Sequence, residues 1–158
     1  VVVSEVLAID PGPERSAWLR LDACGVPMAM EIADNGVVVC GLADTPDLPP
    51  LAIEMVASYG MSVGEDVFET CVWIGRFIEA YQGPAHYVYR KDVKMSICGS
   101  MRATDSNIRQ ALIDRYGPGK EKAVGTKNAP GPLHGIKTHL WSALAAGVTW
   151  QRQQREAA

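Results

Sequence analysis

A glutamate stands inside Leu51-Ala52-Ile53-Glu54-Met55-Val56, a run otherwise fit for a strand at the centre of a sheet. Glutamate is almost never fully buried without a partner, and an uncompensated carboxylate in an apolar setting is costly. Either the run is an edge strand with Glu54 facing water, or the fold compensates its charge. A second acid ends a similar run: Val6 to Asp10 is apolar and closes on Asp10-Pro11-Gly12, a strand entering a turn. Taken alone, Asp-Pro-Gly is turn sequence, because Asp and Gly both favour turns. Taken with Glu54 it marks a candidate site, since ligands of open α/β sheets gather at the carboxyl ends of strands. Two carboxylates on neighbouring strands repel unless a cation lies between them. Magnesium or manganese meets that need, because hard cations prefer oxygen ligands.

The rest of the chain supplies the elements around these two runs. Ser16 to Asp22 reads as a second strand, with Ala17, Leu19 and Leu21 alternating against Trp18 and Arg20. Pro27 to Ala33 and Val37 to Cys40 read as a third strand and its neighbour, hinged at Asp34-Asn35-Gly36, since Asn-Gly is a hairpin signal. Asp44 to Pro50 is loop. Val63 to Tyr81 is a helix whose stripe is Val67, Cys71, Ile74 and Ile78, widened by Phe68 and Phe77. His86 to Tyr89 is a short strand. Lys91 to Ile97 and Ser106 to Tyr116 are helices, the second capped by Thr104 or Asp105. Gly117 to Pro132 is a flexible loop. Ile136 to about Gln153 is the last helix, packing through Leu140, Ala143, Leu144 and Gly147, and the polar Gln151–Arg155 tail frays. The order predicts one α/β domain over all 158 residues, with a mixed sheet that opens in antiparallel strands.

No window approaches the roughly 18 unbroken apolar residues of a membrane span. The apolar start contains Glu5 and no basic flank, so no signal peptide is expected. Cys24, Cys40, Cys71 and Cys98 have no C-x-x-C spacing and no histidine near enough to complete a zinc set. They are expected to be buried or half-buried free thiols in a reducing compartment.

A net charge of −3 argues weakly against a nucleic-acid partner, but its distribution softens the objection. Residues 1–85 hold most of the acid. Arg90, Lys91, Lys94, Arg102, Arg109 and Arg115 face only Asp92, Asp105 and Asp114 in the following stretch, and Lys120, Lys122, Lys127 and Lys137 come after. Such a half makes either a stripe for phosphates or a solvated surface. His139 and Ser142 share a helix face at i, i+3 spacing, although a lone surface histidine would read the same. Asp105 is a candidate site acid or a helix cap. Tyr59, in a glycine-containing loop after Glu54, would stack on an opened base or fold back on the protein.

In this order the motifs resemble the RuvC-like Holliday junction resolvases, especially compact phage-type members, from Val6 to about Trp150. Leu7-Ala8-Ile9-Asp10-Pro11-Gly12 resembles the first motif and Ala52-Ile53-Glu54 the second. Tyr89-Arg90-Lys91-Asp92-Val93-Lys94, Gly99 and Ala103 through Ile108 resemble the segment leading to the DNA-binding helix. His139-Leu140-Trp141-Ser142-Ala143-Leu144-Ala145 resembles the closing motif. The resemblance implies an RNase H-like three-layer α/β/α fold with a mixed five-stranded sheet. It implies a homodimer acting on a four-way DNA junction in the cytoplasm of a bacterial cell or phage-infected host. It also implies two Mg²⁺ ions per site, with Mn²⁺ substituting, that clamp the attacking water and the leaving 3′ oxygen. Asp10, Glu54 and His139 match metal-binding positions, and Lys91, Lys94, Arg102 and Arg109 would contact phosphates. Ser142 departs from the pattern, standing where the family has an aspartate. Three ligands and water then suffice, or Asp105 supplies the fourth carboxylate, or the site is impaired. A basic residue common near Thr104-Asp105 is also missing, and Arg102 would replace it. The alternative to a nuclease is a junction-binding protein of the same fold with weakened cleavage.

Overall fold

The computed structural model describes residues 4–158. Strand β1 (Val6–Asp10) is apolar at successive positions because both its faces are covered. It lies mid-sheet, between antiparallel β2 (Arg15–Leu21) and parallel β4 (Leu51–Met55). Antiparallel β3 (Pro27–Asp34) and parallel β5 (Ala85–Tyr89) complete the five-stranded order β3-β2-β1-β4-β5. Alternation divides the side chains between two cores. Val6, Ala8, Leu19, Leu21, Ala52 and Val88 pack on one face against α6 (Leu140–Glu156), with α3 (Arg90–Cys98) and α4 (Asp105–Tyr116) beyond it. Leu7, Ile9, Leu51 and Ile53 pack on the other face against α1 (Asn35–Asp44) and α2 (Glu65–Tyr81). This is the expected three-layer α/β/α arrangement. Each fully buried Leu or Ile contributes on the order of 1.5–3 kcal/mol.

The predicted strand at Val37–Cys40 and its Asn-Gly hairpin are incorrect, because the segment is helix α1. Asn35 is buried and its side chain is committed elsewhere: Ser16 Oγ donates to Asn35 Oδ1 at 2.6 Å, and Asn35 Nδ2 donates to the Gly12 carbonyl at 2.9 Å. Val38 and Leu42, four apart, supply the buried stripe while Val37 stays exposed. The stripe of α2 is rotated from the predicted one. Thr70, Ile74, Phe77 and Tyr81 are buried, Val67, Cys71 and Ile78 are half-buried, and Phe68 is exposed.

The 117–132 segment is more ordered than a flexible loop. It holds the short helix α5 (Lys120–Ala123) and a Gly125–Pro130 bridge, and it buries Ala123. Gly125 has φ +68°, and a Cβ there would meet the Ala129 carbonyl at 2.2 Å, so only glycine closes this turn. The expected frayed tail is the last stretch of α6: buried Gln151 donates to the carbonyls of Asp22 (2.8 Å) and Ser4 (3.2 Å). Cys24 and Cys40 are exposed rather than buried, lying in a turn and on the outer side of α1, while Cys71 and Cys98 are half-buried; all four are free thiols. Among the described residues, no helix is long and apolar enough to cross a membrane.

Candidate active site

The register of β1 with β4 pairs Ala8 with Ala52 and Ile9 with Ile53. One step further brings Asp10 beside Glu54, and alternation turns both carboxylates to the face covered by α6. Both lie at the carboxyl edge of the sheet. The turn after β1 is fixed from below by Asn35 and by Ser16 Oγ, which accepts from the Gly12 N–H at 3.2 Å. Gly12 cannot carry a side chain, since a Cβ would meet the Arg15 carbonyl oxygen at 2.4 Å.

The last helix delivers the third group. Thr138 adopts φ +43°, a region costly for a β-branched residue. That bend sets His139 at the N-terminus of α6, near the start of the last helix as expected, although the helix begins at Leu140 rather than Ile136. Its Nδ1 lies 3.0 Å from Asp10 Oδ2, although the imidazole is 76% exposed. Ser142, one turn on, is half-buried.

A fourth group enters from the end of the strand beside Glu54, and a fifth from the start of α4. Glu54 pairs with Val88 on β5, and two residues later Arg90 opens α3. Arg90 Nη1 is 3.6 Å from Glu54 Oε1, and Nη2 donates to Asp105 Oδ1. Asp105 is not the cap of α4. Thr104 has that role, with its Oγ1 accepting from the Asn107 N–H at 3.3 Å, so the Asp105 carboxylate is free to face Arg90.

Burial dominates the electrostatics. It raises the Asp10 carboxyl above its ordinary range, and His139 and Arg90 pull it back only in part. Glu54 is pushed to about 7, first by burial and then by Asp10, against the opposing Arg90. Asp105 raises both. Glu54 Oε2 is buried and has no hydrogen-bond partner. Among the described residues, no group of three or more acid, cysteine or histidine side chains is gathered as a cage for an ion. The donors nonetheless suit a hard cation. Two desolvated carboxylates converge, one with an orphaned oxygen, beside an imidazole. Asp105 accepts from Arg90 on the far side of the guanidinium.

Two cavities flank the acids. The smaller, about 250 Å³, is lined by Asp10, Glu54, Tyr59, Val63, Val67 and Arg90. The larger, about 510 Å³, is lined by Arg90, Asp105, Arg109, His139, Trp141 and Ser142 among others. Exposed Tyr59 therefore stands at the site, and Arg109, with its guanidinium 4.8 Å over the Trp141 ring, lines its larger side. Lys91, Lys94 and Arg102 line neither cavity; they lie on α3 and the turn after it. Arg90 was missed as a site residue. The strand-end argument that selected Asp10 and Glu54 applies equally to the residue after β5.

The chain superposes on the Thermus thermophilus RuvC structure with a TM-score of 0.71, covering 97% of this chain and 96% of that one at 16% sequence identity. The fold is that of RuvC. A structure of T. thermophilus RuvC in complex with a Holliday junction substrate superposes equally well, with a TM-score of 0.70, the same coverage and 16% identity. No protein-family model matches the sequence, and no curated protein does. The RuvC likeness, an RNase H-like mixed sheet with helices on both faces, thus rests on three-dimensional form.

Proposed function

We propose that this chain is a metal-dependent endonuclease that nicks branched DNA, with the four-way junction as its substrate and a homodimer as its working form. The observation that carries the reading is the convergence of Asp10 and Glu54 from adjacent parallel strands, with His139 on Asp10 and a buried Glu54 oxygen left without a partner. A fold shared with a junction-bound RuvC over nearly the whole chain supports the choice of substrate.

Asp10 and Glu54 would hold Mg²⁺ or Mn²⁺, with His139 as the third ligand. The bound ions would supply Lewis acidity to the phosphate and lower the pKa of the attacking water. The chain's own groups do the rest. His139, open to solvent on one side and held by Asp10 on the other, is placed to orient the water or take its proton. Water oxygen bonds to phosphorus, the bond to the 3′ oxygen breaks, and the departing oxygen takes a proton from solvent. Arg109 and the outer Lys91, Lys94 and Arg102 would hold flanking phosphates, giving salt-dependent affinity without sequence choice. Tyr59 would stack on a base opened at the branch.

The test is cleavage of a labelled four-way junction and a linear duplex, with Mg²⁺, with Mn²⁺ and with EDTA. Metal-dependent nicking of the junction that Asp10→Asn and Glu54→Gln both abolish is the expected result. Junction binding without cleavage by the parent would replace the nuclease with a binding protein, a reading that Ser142 and the engagement of Asp105 by Arg90 favour. Cleavage undiminished in Asp10→Asn would overturn the site.

A further inference from the structure

Arg90 is the residue shared by the two cavities that flank the acids, so it forms the wall between them. It stands at the carboxyl edge of the sheet, one strand beyond Glu54. Its guanidinium is the fixed positive charge that reaches both Glu54 and Asp105. The two contacts differ in kind. The link to Asp105 is a hydrogen bond on an exposed carboxylate, which water and salt weaken. The approach to Glu54, at 3.6 Å, is too long for a hydrogen bond and leaves Oε2 unpartnered. A guanidinium carries five N–H donors in a planar fork that matches phosphate oxygens two at a time. Here that fork is only partly used, and its side chain is 25% exposed. Asp10 and Glu54, with Asp105 on the far side of Arg90, repel a polyanion, so a cation held between them has an evident task when DNA arrives.

We infer that Arg90 is a phosphate-binding residue of this site, held in reserve by Asp105 and released to the DNA backbone when the substrate enters. The inference rests on the nuclease reading for its substrate. In the free protein Asp105 competes for the guanidinium, and in the complex a phosphate takes its place.

Binding in EDTA isolates this role from catalysis. The parent, Arg90→Ala, Arg90→Lys, Asp105→Asn and the Arg90→Ala/Asp105→Asn double variant are titrated against a fluorescent four-way junction at several salt concentrations. Arg90→Ala is expected to weaken binding about tenfold and to reduce the salt slope by about one phosphate contact. Arg90→Lys should retain the slope, because the charge stays, and lose part of the affinity, because the two-pronged contact is gone, which separates a phosphate contact from a folding defect. Asp105→Asn should bind more tightly than the parent, and a double-mutant cycle should show that most of this gain disappears without Arg90. Unchanged affinity and slope in Arg90→Ala, or an Asp105→Asn gain of equal size in both backgrounds, would overturn the inference. Metal-dependent junction cleavage by the parent alongside either result would leave the nuclease reading standing. A parent that neither binds nor cleaves the junction would overturn both.

Discussion

Nδ1 of His139 lies 3.0 Å from Oδ2 of Asp10, which ties the N-terminal cap of the last helix to the end of the first strand. The contact spans nearly the whole chain, and it joins an exposed ring to a mostly buried acid. Removing the ring therefore affects chemistry more than folding. His139→Ala should lower single-turnover junction cleavage by about 10²–10³-fold, within the usual range for a positioned acid–base group. Its melting temperature should stay close to the parent's. His139→Asp should recover most of the rate if the residue is chiefly a metal ligand. A full loss in His139→Asp would assign the imidazole to proton transfer instead.

Glu54 binds its proton more tightly in the folded chain than in the unfolded one, because burial and Asp10 raise it to about 7 from an ordinary 4.5. Stability from this group is thus fully present below the unfolded value and is lost as pH rises through about 7. Each tenfold change in proton affinity is worth about 1.4 kcal/mol. Glu54→Gln, which mimics the protonated acid, should therefore stabilise the metal-free protein by about 2–3 kcal/mol near pH 8 and by much less near pH 5. Denaturant melts in EDTA at both pH values measure the difference. A gain independent of pH would show that Glu54 is not desolvated. With limiting Mg²⁺, cleavage should rise through about pH 7, and higher Mg²⁺ should move the midpoint downward, because cation and proton compete for the same oxygens.

The two acids were legible in the sequence because each interrupts or ends an apolar run, and burial of a carboxylate is costly wherever the run folds. The sheet was legible for the same reason: β1 and β4 are apolar at successive positions, as strands covered on both faces must be. The α1 segment was not. Asn35-Gly36 carries a local hairpin signal, and what overrides it is a hydrogen bond to Ser16, a partner distant in sequence. Phe68 misled in a similar way: helical spacing defines a stripe but not its edges, and α2 turns Tyr81 inward alongside the expected Phe77 while Phe68 stays exposed. Arg90 was one of several basic residues in a basic stretch, and only the placement of β5 beside β4 distinguishes it.

Asn35 supports the site without touching it. Its amide accepts from Ser16 and donates to Gly12, so the Asp10-Pro11-Gly12 turn and the start of α1 are held by one buried side chain. Asn35→Ala leaves the Ser16 hydroxyl and the Gly12 carbonyl without those partners, at a cost of about 2–3 kcal/mol. Asn35→Asp keeps the acceptor for Ser16 but loses the donor to Gly12, and it adds a buried charge. It should be at least as destabilising near neutral pH as Asn35→Ala. Chemical denaturation checks the order. If Asn35→Ala is as stable as the parent, the turn is held by Pro11 and the strand ladder alone.

Ser142 lies one helical turn after His139 and lines the same cavity as Asp105 and Arg90. A hydroxyl is a weak ligand for a hard cation, whereas a carboxylate offers both charge and two oxygens. Ser142→Asp should therefore tighten Mg²⁺ binding, read as a lower half-saturating concentration for cleavage, by about tenfold or more for one added charge-assisted contact. The same substitution adds an acid to the cavity that Asp105 and His139 line. Without metal it should lower the melting temperature, and added Mg²⁺ should reverse that loss more than it affects the parent. The two effects have one origin, the repulsion among carboxylates that a cation relieves, and so they should appear together. Lower stability with no gain in Mg²⁺ affinity would mean that the side chain at 142 faces away from the ion, and that Asp10, Glu54 and His139 complete the site with water.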